Sequence, residues 1–220
     1  MLNETVPPIQ DMHVCLSFLE KIKNWPSAES KKWVETFLRK NISSYDISAV
    51  VIFGSIVRNV DYCADVDLLI IYTDKKPKIY PPIDVDVRIY KESEVESLIR
   101  DGNEVLGWAI RFGILLYEQN FYWSDISRRW ENHLPLPSLV EAEKRAERAR
   151  ALLEDLGKIG DEDAINEQLI TMLTQLARAN LIRSGIFPAS RAELPNQLRE
   201  IGEIKIANKL SKLLSMRKIA

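Results

Sequence analysis

The sequence has little of what disulfide-bonded and zinc-binding proteins require. Cys15 and Cys63 are its two cysteines, and neither lies in a CxxC pair or at a Cys/His spacing that would ligate zinc. We therefore expect neither a disulfide framework nor a structural zinc site. Positive and negative charges nearly balance, and the net charge is -2. The chain therefore gives no electrostatic case for general nucleic-acid binding.

Long apolar runs are missing as well. No stretch approaches the roughly 20 residues that a membrane-spanning helix needs, and the first residues lack the basic and apolar segments of a signal peptide. With 46% hydrophobic and 28% charged residues, the composition is that of an ordinary globular protein. We expect a cytoplasmic protein without membrane contact, and its 220 residues can bury one or two cores.

Two short apolar stretches stand out against this background. Ile47–Phe53 and Val66–Tyr72 are rich in β-branched residues and predict buried strands. A Gly54-Ser55 turn follows the first strand, and Asp65 and Asp67 open the second. Because residues two apart in a strand point to the same side, both carboxylates are predicted to face one spot beside the turn.

The residue types at this spot suggest a chemistry. Two converging carboxylates repel one another unless a cation lies between them, and their hard oxygen atoms suit magnesium. The Gly54-Ser55 turn offers backbone N–H groups and a hydroxyl, which suit phosphate oxygens. The sequence alone therefore suggests a site for a metal ion together with a phosphate.

A third predicted strand, residues 83–90, alternates apolar and polar residues, so that Asp84, Asp86 and Arg88 share its polar face. Ser27 or Ser30 is predicted to cap the helix that follows it. Ser93 with Glu96 has the form of a capping box for a helix at 93–100. Further helices are predicted at 10–25, 103–112 and 121–132, with a short strand at 114–117.

The two prolines within 134–138 mark the best candidate for a domain boundary. Beyond them we find no strand-like alternation, and helix formers dominate 139–156, 164–184, 190–201 and 203–216. We predict two domains, 1–134 and 135–220. The fold class is α+β, a small mixed sheet flanked by helices and followed by an all-α helical bundle.

The order of strand, Gly-Ser, strand with Asp-x-Asp and a third acidic strand resembles the polymerase-β-type nucleotidyltransferase superfamily. In this chain the pattern is Phe53-Gly54-Ser55, nine intervening residues and Asp65-Val66-Asp67-Leu68. The chain also looks like small bacterial and archaeal nucleotidyltransferases with a C-terminal helical bundle, such as those paired with HEPN-type bundles and the aminoglycoside nucleotidyltransferases. Over about residues 28–117 the resemblance rests on motifs, and in the rest of the chain it rests on architecture only.

The resemblance implies roles for the site residues. Asp65 and Asp67 would hold magnesium bound to a nucleoside triphosphate, and Asp86 would complete a second metal site and act as base toward an acceptor hydroxyl. Gly54 and Ser55 would bind the β- and γ-phosphates. Arg58 would neutralise phosphate charge.

The resemblance also leaves points open. Asp84 and Asp86 both qualify as the third carboxylate, and we favour Asp86 because its distance to the following helix resembles the family arrangement. The chain departs from small family members at Asn59, where they often have Gly, and at Ala64, where they often have Ser. Asn tolerates the left-handed backbone conformation, so the turn itself is expected to survive.

The resulting hypothesis is a magnesium-dependent nucleotidyltransferase that uses an NTP, with ATP expected, and an acceptor that is a small molecule, a protein or an RNA end. The alternative is an inactive nucleotide- or protein-binding module of antitoxin-like or regulatory type. A weaker option is RNA cleavage by Arg128 and His133, whose spacing matches that of HEPN ribonucleases. For the oligomeric state, a homodimer is one of the options.

Overall fold

The computed structural model describes residues 19–20, 22–40, 46–58, 63 and 65–217. The backbone divides into two compact units, Met1–Pro135 and Leu136–Ala220. Whether the predicted domains 1–134 and 135–220 fold independently stays a prediction. Most of the helix predicted at 10–25 lies outside the described residues, as do Asn59 and Ala64, and the described residues 22–25 are not helical.

The first unit is built on a mixed sheet of strand order β3-β2-β1-β4. Strand β1 pairs antiparallel with both β2 and β4, whereas β2 and β3 pair in parallel. All seven residues of β1 are buried, as expected for an apolar strand in the middle of a sheet. The strands are β1 (Ile47–Phe53), β2 (Val66–Tyr72), β3 (Val85–Lys91) and β4 (Ile114–Glu118).

Helices flank this sheet, and their starts follow from local hydrogen bonds. They are α1 (Ala28–Lys40), α2 (Glu92–Arg100), α3 (Glu104–Phe112) and α4 (Tyr122–Trp130), with a short 3₁₀ helix at Ser55–Val57. The Ser27 hydroxyl accepts a hydrogen bond from the Ser30 amide at 3.0 Å, which confirms Ser27 as the cap of α1. The capping box predicted at Ser93 is wrong, because α2 begins directly after β3 with Lys91 as its N-cap and no side-chain cap.

The core that supports the sheet lies between α1 and one face of β1 and β2. Val34, Phe37 and Leu38 of α1 are almost fully buried against alternate strand residues. Each such side chain contributes roughly 1.5–3 kcal/mol by leaving water. The strand residues on this face are Val50, Ile52, Val66, Leu68, Ile70 and Val85. Odd-numbered residues of β2 therefore point to the opposite face.

The second unit is helical throughout its described secondary structure. Its helices are α5 (Leu139–Ile159), α6 (Glu162–Arg183), α7 (Leu194–Glu200) and α8 (Ile204–Arg217). The apolar side of α6, including Leu173, Ala177 and Leu181, is buried in one cluster with residues of α7 and α8. The predicted α+β class, a small mixed sheet with flanking helices followed by a helical region, is confirmed. Among the described residues, no helix has the length and apolar character to cross a membrane.

Two glycines provide a matched test of this packing. A Cβ at Gly113 would lie 2.3 Å from the Ala109 carbonyl oxygen and 2.6 Å from Val51 Cγ1, whereas one at Gly157 would meet nothing within 4 Å. We expect Gly113→Ala to lower the free energy of unfolding by about 1–3 kcal/mol through overpacking. Gly157→Ala should raise it by about 0.5–1 kcal/mol, because Gly157 lies within helix α5. Urea denaturation followed by circular dichroism measures both, and equal effects would contradict the described packing.

Candidate active site

Two of the predicted acids come from neighbouring strands that start at one edge of the sheet. Asp67 of β2 and Asp86 of β3 are direct partners in the parallel register. Registered residues of parallel strands point to the same face, about 4.8 Å apart along the backbone. The residues that flank Asp67, Val66 and Leu68, lie in the core against α1. Both carboxylates therefore point to the face of the sheet that α1 does not cover.

Gly54 lies against the first of these carboxylates. It follows β1 directly with φ of +80°, in the left-handed region that residues with a side chain rarely adopt. A Cβ at this position would lie 2.0 Å from Asp67 Oδ2 and 2.9 Å from its carboxyl carbon. Backbone conformation and space thus both require glycine here, and the carboxylate lies directly on the turn.

Ser55 starts the 3₁₀ helix beyond Gly54, and its hydroxyl lies 3.2 Å from the sulfur of Cys63. The same thiol donates a hydrogen bond to the Asp65 carbonyl oxygen at 2.7 Å. Burial is the main cause that raises the pKa of the Cys63 thiol, and the Asp65 and Asp67 carboxylates add to the effect. The thiol is therefore a neutral donor, and Cys63 joins the two halves of the motif.

Asp65 differs from its predicted setting. Strand β2 begins at Val66, so Asp65 lies one residue before the strand, with its side chain exposed. The period-two rule that was used to place it beside Asp67 therefore does not apply at this residue. Its contribution to a metal site stays a prediction.

The structure separates Asp84 from Asp86, although the sequence pattern put both on one face. The third strand begins at Val85, and Asp84 belongs to the preceding turn. Its carboxylate accepts a hydrogen bond of 2.5 Å from the hydroxyl of Ser27, at the start of α1. The period-two rule that put Asp84 on the face of Asp86 does not apply before the strand begins, and the Asp84 carboxylate is bonded to Ser27.

Asp86 is paired with a cation on its own strand. Arg88 lies two residues further along β3, and its guanidinium is 2.5 Å from Asp86 Oδ2. Both side chains are about half exposed, at 52% for Arg88 and 42% for Asp86. Solvent screens such a pair, so its contribution to stability is small. A cation that binds at Asp86 has to compete with this guanidinium.

Arg58 occupies the turn after the 3₁₀ helix, and its guanidinium lies 4.4 Å from the centre of the Phe112 ring. The guanidinium of Arg111 lies 5.8 Å from the same ring centre. Since β1 ends and β4 begins at the edge that carries the acids, both cations are at that edge. Sequence reasoning missed Phe112 and Arg111, because no local pattern connects them with a residue more than fifty positions away.

The donor set can be tested against the expected metal. Within the described ranges, no three His, Cys, Asp or Glu side chains form a cluster that could hold an ion. Magnesium in phosphate-handling sites is bound through one or two carboxylates, with substrate phosphates and water completing its shell. Asp67 and Asp86 supply two carboxylates of the right type on adjacent strands, so the chemistry fits magnesium that arrives with a phosphate. The two-metal arrangement stays a prediction.

A separate cleft of about 800 Å³ lies at the opposite edge of the sheet, where β2 and β3 end. Within it Ser48 donates to Glu92, and Arg129 pairs with Glu96. Burial raises the pKa of Tyr122, and the nearby Glu92 and Glu96 add to this rise. None of the predicted site residues lines this cleft, and these polar groups pair with one another.

The remaining sequence candidates are exposed or paired. Arg128 forms an ion pair of 2.6 Å with Asp125 and is largely exposed, and His133 is exposed in the turn that follows α4. These surroundings are those of a solvated helix end.

Comparisons with known proteins add little. No protein-family model matches the chain. No curated protein matches it either. Among solved structures, the chain is similar to a nucleotidyltransferase-like protein from Exiguobacterium sibiricum 255-15, with 16% sequence identity and a TM-score of 0.36. The match covers 83% of this chain and 66% of that protein. A likeness this distant does not support a function for this chain. The proposed function therefore rests on the residues of the site.

The contact between Gly54 and Asp67 can be measured by a double-mutant cycle. We expect Gly54→Ala to lower the free energy of unfolding by about 2–4 kcal/mol, since it adds backbone strain of about 1–3 kcal/mol at positive φ to a steric clash with the carboxylate. In an Asp67→Ala background the clash is relieved and the strain remains, so the loss should shrink by at least about 1 kcal/mol. Chemical denaturation of the four proteins gives the coupling energy, and additive effects would refute the contact.

Proposed function

We propose that this protein is a magnesium-dependent nucleotidyltransferase that transfers a nucleoside monophosphate from an NTP, with ATP as the expected donor, to an acceptor hydroxyl. The observation that carries the proposal is the juxtaposition of Asp67 and Asp86 in register, with Gly54 against the Asp67 carboxylate and Ser55 beside it. Two carboxylates, a glycine turn and a hydroxyl at one sheet edge are what a metal-bound triphosphate requires.

In this proposal the three carboxylates hold the metal, and one of them also acts as a base. Asp65 and Asp67 hold the magnesium that accompanies the triphosphate, and Asp86 completes a second metal site. When bound, the metal neutralises charge on the attacking and leaving oxygens. Asp86 also accepts the proton of the acceptor hydroxyl as that oxygen attacks the α-phosphorus. The bond from the α-phosphorus to the bridging oxygen breaks, and pyrophosphate leaves.

The turn at Gly54 and Ser55 binds the phosphates in this proposal. The Ser55 hydroxyl and the backbone at Gly54 donate to oxygens of the β- and γ-phosphates. Arg58 supplies positive charge, and its contact with the Phe112 ring restrains the guanidinium. The acceptor, whether a small molecule, a protein hydroxyl or an RNA end, is chosen by pocket shape, and none of the described contacts selects among them. The cytoplasmic location and a homodimer remain expectations from the sequence.

A binding experiment tests the site without knowledge of the acceptor. We expect Asp67→Asn and Asp86→Asn each to weaken binding of Mg-ATP at least about tenfold, because each variant loses a negatively charged ligand for the metal. Isothermal titration calorimetry with each of the four NTPs and magnesium gives the dissociation constants and the base preference. EDTA should abolish the binding of the unmodified protein.

Two matched variants serve as controls in the same titration. Asp125→Asn changes an exposed carboxylate that is paired with Arg128, and it should leave binding unchanged. Asp84→Asn discriminates the two candidates for the third acid, and binding within about twofold of wild type supports Asp86. If Asp67→Asn and Asp86→Asn bind Mg-ATP as tightly as the unmodified protein, the assignment of the site is wrong.

The ion pair between Arg88 and Asp86 favours a second candidate function, a nucleotide- or protein-binding module without turnover. An arginine that neutralises the proposed base would leave the site able to bind a nucleotide and unable to activate a hydroxyl. Release of labelled pyrophosphate from ATP in the presence of candidate acceptors separates the two functions. Binding without any such release, together with a stoichiometric protein partner in a pull-down, would favour the module.

A further inference from the structure

The thiol of Cys63 lies between two elements of the candidate site. Cys63 is 5% exposed, and its sulfur is 3.2 Å from Ser55 Oγ and 2.7 Å from the Asp65 carbonyl oxygen. Ser55 belongs to the 3₁₀ helix after β1, whereas Asp65 directly precedes β2. One buried side chain thus connects the phosphate-binding half of the motif with its acidic half.

Proton counting fixes the direction of both hydrogen bonds. A carbonyl oxygen can only accept, so the single proton of the thiol points to Asp65. The sulfur then has only its lone pairs left for Ser55, and the Ser55 hydroxyl must donate to it. In the ligand-free protein the hydroxyl proton of Ser55 is therefore directed at sulfur.

A phosphate oxygen is an acceptor and needs that same proton. Because sulfur is a weak acceptor, the hydroxyl can turn from Cys63 to a phosphate oxygen at little cost and gain a charge-assisted hydrogen bond. The bond from the thiol to the Asp65 carbonyl is unaffected by this turn and keeps the start of β2 in place.

We propose that Cys63 is a positioning residue, whose thiol fixes the backbone at Asp65 and holds the Ser55 hydroxyl in place until a phosphate oxygen takes over as the acceptor of its hydrogen bond. The proposal rests on the proposed function, since it assigns the Ser55 hydroxyl to the β- and γ-phosphates of the nucleotide. Cys63 itself touches no phosphate. Its effect is transmitted through Ser55 and Asp65.

Two substitutions separate this role from simple packing. Cys63→Ser keeps a donor for the Asp65 carbonyl and an acceptor for Ser55, whereas Cys63→Val keeps an apolar group of similar size and loses both bonds. We expect Cys63→Ser to bind Mg-ATP within about twofold of wild type. We expect Cys63→Val to bind it roughly three- to tenfold more weakly, because it loses the bond to the Asp65 carbonyl, which persists when the nucleotide is bound. Val34→Ala, in the same core cluster on α1, controls for lost packing and should not change binding.

The nucleotide series makes the test specific for phosphate. Mg-ATP carries the β- and γ-phosphates that Ser55 is proposed to bind, and AMP lacks them. Cys63→Val should therefore weaken Mg-ATP and leave AMP binding unchanged, whereas a general distortion would weaken both. If Cys63→Val binds Mg-ATP like wild type while Cys63→Ser binds it poorly, Cys63 is a packing residue and the proposal is overturned.

An infrared measurement checks the contact without any nucleotide. The S–H stretching band of Cys63 is obtained as the difference between wild type and Cys63→Val. Ser55→Ala removes the donor to sulfur and should shift this band, whereas Val34→Ala should not. An unshifted band in Ser55→Ala overturns the inference. A shifted band in a protein that binds no Mg-ATP leaves the contact in place and overturns the proposed function, and with it the role toward phosphate.

Discussion

The site depends on the parallel pairing of β2 with β3, which holds two like charges side by side. Asp67 and Asp86 are partners in the parallel register, and two carboxylates on neighbouring strands repel one another. The buried residues of the same strands outweigh this cost, because each of Leu68 and Ile70 contributes roughly 1.5–3 kcal/mol by leaving water. Arg88 offsets part of the repulsion while no other cation is bound. The burial of apolar strand residues thus keeps two carboxylates, Asp67 and Asp86, at one edge of the sheet. Their negative charge attracts cations.

The antiparallel pairing of β1 with β2 adds the second constraint. It places Phe53 opposite Asp67, so the chain leaves β1 directly beside the acid and has to turn there. Gly54 makes this turn without a side chain, and Ser55 follows as the first residue of a 3₁₀ helix. The Cys63 thiol then joins this turn to the backbone in front of β2. The order of these elements explains why Gly54 lies against the Asp67 carboxylate although thirteen positions separate the two residues, and why Ser55 follows directly after that contact.

Strong local signals made much of the fold predictable. The apolar runs at 47–53 and 66–72 match β1 and β2 residue for residue, because a central strand is apolar on both faces and polar residues end it. The third strand was predicted two residues too early, since the alternating pattern continues into the turn. Strand β3 begins only at Val85, and Asp84, in the turn before it, is bonded to Ser27, a residue 57 positions away. Arg58 over Phe112 is a contact of the same long-range kind, and such contacts are invisible to periodicity.

The contact at Gly54 has a stereochemical consequence. Its two α-hydrogens are chemically identical in the free amino acid, yet in the fold one of them points toward the carboxylate of Asp67 and the other does not. The position therefore behaves as a chiral centre with the handedness of a D-residue. A methyl group placed by D-alanine would satisfy the positive φ and avoid Asp67.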